Sequence, residues 1–415
     1  MGGFTLDAAD AVLTDLGGCG GLALLDSLVE QSLVVVEPRG EEGPRFRLLE
    51  PVAQYALGRL SPDDERAARD AHLQHFAHLA EQYEPSLRGP GTVRTLAAIE
   101  LEHANFVTAI EWSLSSGQAD RGGWLGWHLW LFWWVRGALR EGRRLMEALH
   151  EAATDDLVRV RSSAVSAAMA FAQGDLVFAK RAWTESSDLA RRIGDAQGLP
   201  YAYGGIGLVA LAEDDLDTAA RVHAENIGLC EVADMGGEWL WTLSHVWLGT
   251  VELLRGDGAE AARLVDLALD AGRRRHDPLA VYIALFTAIQ VSVVRGDFRR
   301  ARAQIAEGVD LSEVTGDHAN LAYLLDALAV VESLDGEGDL GRVGVLRGAA
   351  EQLRAGVGGN VYGYYRPDEA LIEKASLTAR QERGAERYDA DLAAGRALTV
   401  AGMIGLATAG QATTG

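Results

Sequence analysis

Two lysines, Lys180 and Lys374, are all that 415 residues contain, and neither follows a glycine. A GxxxxGK[ST] loop therefore cannot be written anywhere in the chain, which excludes the phosphate-cradling lysine of a P-loop ATPase. Cysteine is as scarce: Cys19 and Cys230 stand far apart. Neither a disulfide framework nor a CxxC metal clip is available, and a reducing cytoplasm is the expected compartment. Long apolar runs are missing too. The most apolar stretch, GWLGWHLWLFWWV at 123–135, is bounded by Arg121 and Arg136 and falls short of the roughly 20 residues a membrane span needs. It reads as a buried helix, so no membrane partner is expected. No basic segment followed by an apolar one opens the chain, so no secretory signal is read.

What is abundant is acid. Sixty Asp and Glu against 38 Lys and Arg leave a net charge of −22 and a pI near 4.8, the wrong sign for a chain whose main task is gripping phosphate backbones. With 48% hydrophobic and 24% charged residues the composition is that of a soluble globular protein. Its length exceeds one ordinary helical domain, so either several domains or a repeat array is implied.

The array is visible from residue 174 onward. GDLVFAKRA, DDLDTAARV, GDGAEAARL and GDFRRARAQ begin at Gly174, Asp214, Gly256 and Gly296, in steps of 40, 42 and 40 residues. Each carries an alanine five places in, at Ala179, Ala219, Ala261 and Ala301. A weaker copy, GDLGRVGVL, starts at Gly338, and RGALREGRRLMEAL at Arg136 is a degenerate one in front. Second breaks fall between copies at IGDAQG, ADMGG, RHDP and TGDH. The pattern predicts helix, tight turn, helix and looser turn: glycine ends the first helix in the left-handed conformation, aspartate caps the second, and alanine lets the two approach. Stacked units of this kind bury one continuous core and curve into a superhelix.

Residues 63–120 also read as helices, with Leu73, Phe76, Leu79 and Ala80, then Leu101, Phe106, Ile110 and Leu114, at helical spacing across a break at Pro85, Gly89 and Pro90. After the repeats come the Gly- and Tyr-rich RAGVGGNVYGYYRPDE, one helical stretch from about Pro367 to Ala394, and the frayed tail TAGQATTG. At the front, GLALLDSLVEQ places Leu22, Leu25 and Val29 on one helical face with Leu24 and Leu28 beside it. SLVVVE, PRGEEGP and RFRL then read as strand, turn and strand, RFRL alternating charged and apolar residues as a half-buried strand does. A helix opens at Pro51, with Val52, Tyr55 and Ala56 expected inward. Helix, strand, turn, strand, helix is the order of a winged-helix module. The helix before the wing carries Asp26 and Glu30 and no Arg or Lys, and Arg39, Arg45 and Arg47 in the wing are offset by Glu37, Glu41 and Glu42. On charge, packing is favoured over DNA readout.

GGFTLDAADAV, LLDSLVEQSLVVVE, RFRLLEPVAQYALGRL, LEHANFVTAIEWSL and LWLFWWVRGALREGRRLMEAL together resemble the segment that follows the nucleotide-binding module in bacterial STAND signal-transduction ATPases. These are NB-ARC-type transcriptional regulators with a helical-repeat sensor, many of them LuxR-type. The resemblance extends to LRGAAEQLRAGVG and YDADLAAGRALTVAGMIGLA and is most specific from Leu24 to Leu60. It implies a P-loop ATPase, and a helix completing the winged helix, upstream of Met1, with ATP bound only on that module. It also implies, for many members, a helix-turn-helix output beyond the last helix.

Candidate sites are few. His72, His75 and His78 recur every third residue, without the i, i+4 spacing of helical zinc sites, so a solvated or partly buried face is favoured over a metal. Trp124, Trp127, Trp130, Trp133 and Trp134 read first as repeat core and second as a ligand patch. GGIGLV at 204 and GGCGG at 17 lack the strand-to-helix context of a dinucleotide fingerprint. No activated nucleophile, acid/base pair or metal set is visible, so no catalytic, cofactor-binding or metal residue is assigned and no enzyme is expected.

The expected organisation is a mainly α chain: a partial winged helix with one β-hairpin over 1–62, connecting helices over 63–120, a TPR-like α-α superhelix over 121–356, and a linker, C-terminal helix and tail over 357–415. The expected function is the sensor and regulatory region of a STAND-type regulator, taking a protein partner or small-molecule inducer on the repeats and reaching DNA only indirectly. A stand-alone interaction scaffold and weak DNA binding through the wing are the alternatives.

Overall fold

A computed structural model describes residues 3–16, 21–37, 43–236, 238–357 and 366–409. Cys19 and its glycine cluster at 17–20, the turn residues Arg39, Glu41 and Glu42, the Gly/Tyr segment 358–365 and the tail from 410 lie outside the described residues. Among the described residues are twenty α-helices, one 3-10 turn and one two-stranded sheet. The chain divides into two compact units. The first comprises Met1–Leu87, Arg94–Phe132 and Leu145–Ser162; the second comprises Arg88–Val93, Trp133–Arg144 and Ser163–Gly415.

In the first unit, α1 (Leu6–Asp15) starts on Thr5, whose hydroxyl accepts from the Ala8 amide as an N-cap does. α2 (Gly21–Glu30) leads into β1 (Val34–Glu37) and β2 (Arg45–Leu48), paired antiparallel from Val34 opposite Leu48 to Glu37 opposite Arg45. Phe4 extends this pairing by exchanging two 2.8 Å backbone hydrogen bonds with Phe46. A small core of Leu25, Val34 and Phe46, flanked by Phe4, Leu6, Ala9, Leu28 and Val29, holds the hairpin together. α3 (Glu50–Leu57) and α4 (Pro62–Tyr83) each begin with proline in the first turn, where its missing N–H is harmless. A 3-10 turn (Glu84–Leu87), α5 (Thr92–Ser115), α6 (Ala119–Val135) and α7 (Leu139–Ala152) follow, of which residues 92–93, 133–135 and 139–144 belong to the second unit.

Two apolar helix faces are only partly covered, one of them expected inward on α3. On α2, Leu25 is buried but Leu22 and Leu24 are 53% and 50% exposed. On α3, Ala53 is the buried residue, whereas Tyr55 is 71% exposed and Ala56 is also exposed. The hairpin core is too small to cover two helices all round, so each helix buries a single narrow stripe.

In the second unit the predicted turns recur with one chemistry. Gly174, Asp214, Gly256 and Gly296 all have positive φ, between 64° and 87°. The aspartate after each caps the next helix: Asp175 accepts from the Phe178 amide, Asp215 from Thr218, Asp257 from Ala259 and Glu260, and Asp297 from Arg300. These turns join α8 (Asp156–Ala172) to α9 (Leu176–Ile193), α10 (Leu199–Ala212) to α11 (Leu216–Val232), α12 (Trp239–Leu254) to α13 (Gly258–Arg274) and α14 (Pro278–Val294) to α15 (Phe298–Thr315). Ala179, Ala219, Ala261 and Ala301 are fully buried in the seams. From α9 onward each helix packs on its successor through α16 (His318–Leu334) and α17 (Leu340–Val357), so the array is a TPR-like α-α superhelix. The first helices of the later pairs are enclosed: Leu279 to Val293 and Asn320 to Glu332 are buried without interruption. At the weaker fifth copy Gly338 serves closeness instead of handedness, since a Cβ there would overlap the Glu332 carbonyl.

The single helical stretch expected from Pro367 to Ala394 is interrupted. Gly384, at φ +83°, separates α18 (Arg366–Arg383) from α19 (Ala385–Arg396), because a left-handed residue ends a helix. A further helix, α20 (Val400–Thr408), is capped by Thr399.

Asp214 is the one member of the four turns that adopts the left-handed conformation without being glycine. Asp214→Gly should therefore raise stability by up to about 1 kcal/mol, the cost of that backbone region for an L-residue less the extra entropy of glycine unfolded. Gly256→Ala should lower it. Urea midpoints for the two variants check this; shifts of the same sign would contradict the equivalence of the turns.

Candidate functional site

The hairpin is fastened to α5 by a buried charge. Arg45 is 7% exposed and Glu102 5%, and their guanidinium and carboxylate are hydrogen-bonded. The same guanidinium donates to the Gly3 carbonyl at 2.6 Å. Asn105 closes the ring, donating to the Gly3 carbonyl at 3.0 Å and to Glu102 Oε2 at 2.6 Å. Arg45 is thus not a phosphate contact; the expected alternation of charged-out and apolar-in along β2 fails at this residue because its partner lies inside. Arg47 pairs with Glu37 on the surface at 3.1 Å, and Arg39 lies outside the described residues.

Around that lock the module presents apolar surface. Nine of the seventeen large hydrophobic residues that are exposed among the described residues fall within the first 60 positions: Leu16, Leu22, Leu24, Val36, Leu48, Leu49, Tyr55, Leu57 and Leu60. Scattered exposed hydrophobics are ordinary; here they concentrate on a few consecutive elements.

The three histidines of α4 do not converge. His72 packs on Phe76 at 4.5 Å, and burial, reinforced by the His75 ring, lowers its pKa to about 4. His75 meets the edge of Phe76 at 4.9 Å, and His78 bonds Gln82 at 2.8 Å on the surface. Of the tryptophans, Trp133 is fully buried, and Trp124 and Trp127 lie 6.0 and 5.0 Å from the Arg161 guanidinium. Trp124 also stacks on His128 at 6.2 Å. The glycines of GGIGLV serve ring packing: a Cβ on Gly205 would overlap Trp183, and one on Gly207 would overlap His223.

That packing encloses a polar cluster between α10, α11 and α12. His223 and Asn226 are wholly buried, the His223 ring lies 5.2 Å from Trp247, and Asn226 donates to Ser244 Oγ at 2.9 Å. Both His223 nitrogens, Asn226 Oδ1 and Trp247 Nε1 lack a well-aligned hydrogen-bond partner. Burial takes the His223 pKa down to about 3, weakly opposed by the Gly207 backbone. Nearby, Tyr203 links three helices: its hydroxyl accepts from Arg191 and donates to Glu225 at 3.2 Å, with Arg191 over its ring at 4.8 Å. Trp241 rests on His245 at 3.9 Å. Along α9, Val177, Lys180, Arg181, Thr184 and Asp188 line an open groove of about 580 Å³ with Glu213, and Lys180 pairs with Glu213 at 2.7 Å. Of these, the α9 groove is open and offers a bound molecule charged donors and acceptors, whereas the His223 cluster is enclosed.

The sequence reading missed all of these, and also the anions of α16. Asp326 is clamped by Arg347 and Arg354, and Glu332 by Arg342 and, at 2.9 Å, by Arg302. Their signal was available: carboxylates inside the apolar run LLDALAVVESL need buried partners.

Arg45→Met should cost about 3–5 kcal/mol, because Glu102 is left buried without its partner, and adding Glu102→Leu should recover much of the loss; unfolding midpoints of the two variants check it. Acid sensitivity follows from the histidines. His223 binds a proton near pH 6.5 when unfolded and only near 3 when folded, so stability is full above 6.5 and is lost as pH falls, by at most about 1.4 kcal/mol per unit. His223→Phe should flatten that slope between pH 6.5 and 4, read from midpoints across pH.

No family model matches the chain. Proteins described as HTH-type transcriptional regulators in Mycobacterium tuberculosis and Mycobacterium bovis are 29% identical to it over 311 residues, covering 68% of this chain. The chain spans 34% of the length of those relatives. Among solved structures, a Rap protein complexed with competence and sporulation factor aligns with a TM-score of 0.55 at 12% identity, over 86% of this chain and 93% of that one. A STAND protein with a tetratricopeptide repeat sensor from Pyrococcus horikoshii aligns with a TM-score of 0.45 at 10% identity, over 95% of this chain and 60% of that one. The Rap likeness shows the fold: a TPR-like helical superhelix.

Proposed function

We propose that this chain is the sensor and regulatory region of a STAND-type transcriptional regulator of the LuxR kind. The repeats take an inducer or a protein partner, and the hairpin module, read as a partial winged helix, passes the change to an NB-ARC-type ATPase. The observation that carries this reading is the apolar surface of the module, from Leu22 and Leu24 on α2 to Tyr55 on α3, which suits a protein module and not a nucleic acid. Similarity to HTH-type regulators supports the transcriptional setting. In this reading the chain carries no catalytic step and binds no ATP itself; it acts in the cytoplasm and reaches DNA only through the assembly. Inducer binding shifts the population between a state held against the ATPase and a released one, by the difference in its affinity for the two.

The native gene product tests this. The reading frame should continue upstream through a GxxxxGK[ST] segment, and introducing Leu24→Asp with Tyr55→Asp should change ATP hydrolysis by the full protein at least about fivefold, the lower end of ordinary coupling. A transcript that starts at Met1, in a cell where no P-loop protein binds the chain, leaves a stand-alone scaffold and overturns the proposal.

A further inference from the structure

Two inter-repeat turns of the second unit are met by chain from far earlier in the sequence. Arg136 Nη1 donates 2.6 Å to the carbonyl of Thr315, the last residue of α15, and lies 2.9 Å from where a Cβ on Gly316 would stand. Gly316 is left-handed and ends the helix there, so the guanidinium satisfies an orphan carbonyl at the negative end of the helix dipole. The second turn contains Arg275 and Asp277. Gly89 lies against the Arg275 carbonyl, and the charge of Arg88 acts on Asp277, the buried N-cap of α14. The two turns are themselves joined: the Tyr282 hydroxyl at the start of α14 donates to Asp317 Oδ2, the N-cap of α16, at 2.6 Å.

The segments that meet these turns are not arbitrary. After residue 87 the chain makes two short excursions into the second unit, Arg88–Val93 and Trp133–Arg144, before its long run from Ser163. Arg88 lies on the first excursion and Arg136 on the second.

We propose that Arg136 and the Arg88–Gly89 step form a two-point latch, through which turns 315–317 and 275–277 hold the two excursions within the second unit. The existence of the latch does not depend on an inducer or an ATPase. Hydrogen exchange of the full chain tests it, with Arg136→Ala and Arg136→Lys. Arg136→Ala should speed exchange about tenfold, the worth of one charged hydrogen bond, in peptides covering 312–318 and 133–140 together. The effect should spread to 88–93 and 275–277 and leave α10 and α11 unchanged, with Arg136→Lys restoring part of the protection. Loosening confined to 312–318 would mean a local helix cap, even loosening of the whole array would mean general destabilisation, and no change would mean an idle contact; each of these overturns the latch. Loss of the ATPase reading alone would leave all these exchange rates as expected.

Discussion

A left-handed residue followed at once by a capping aspartate is the constraint on which the rest of this structure depends. The left-handed residue stops one helix and turns the chain; the carboxylate supplies the acceptor that the first amides of the next helix otherwise lack. Repeated at Gly174–Asp175, Asp214–Asp215, Gly256–Asp257 and Gly296–Asp297, the device returns each helix against its predecessor at nearly fixed length. Buried alanines in the seams let the backbones close up, and the enclosed helices α14 and α16 form where one pair covers the next. Period, turn and seam are one consequence of two residue types in order.

Polar chemistry is then distributed according to what this packing encloses. In the first unit a hairpin with a core of only three buried apolar residues holds its place through Arg45, Glu102 and Asn105, and several of its hydrophobics stay exposed. In the second unit carboxylates buried on α16 are met by arginines from α15 and α17. Buried ion pairs add little net stability but are costly to break on one side only, so they fix which helix packs where. This is consistent with a protein that has almost no lysine: a planar guanidinium can serve two acceptors inside a protein, whereas an ammonium is better left in water.

Most of the fold was legible in the sequence because it is periodic. Turn spacing, seam alanines and hairpin strands follow from local rules that a single chain displays. What stayed hidden was whatever depends on a partner distant in sequence. β2 reads as an amphipathic strand with Arg45 outward, and only the position of Glu102, 57 residues on, turns that arginine into a core residue. α2 and α3 show which residues are apolar but not how little core exists to cover them, so Tyr55 was expected inside. The break at Gly384 was readable in principle, as a glycine in a polar helix, and was masked by strong helix formers on both sides. The polar cluster at His223 and the Tyr203 relay have no motif at all; they arise from which faces three helices turn toward one another.

The most direct test of the central claim compares the four capping aspartates. If one turn chemistry builds the array, Asp175→Ala, Asp215→Ala, Asp257→Ala and Asp297→Ala should each lower the unfolding midpoint by a comparable amount, and any two combined should add, since the turns lie about 40 residues apart. A loss concentrated in one variant, with the other three silent, would show that the repeats are alike only in sequence and that a single local site holds the structure.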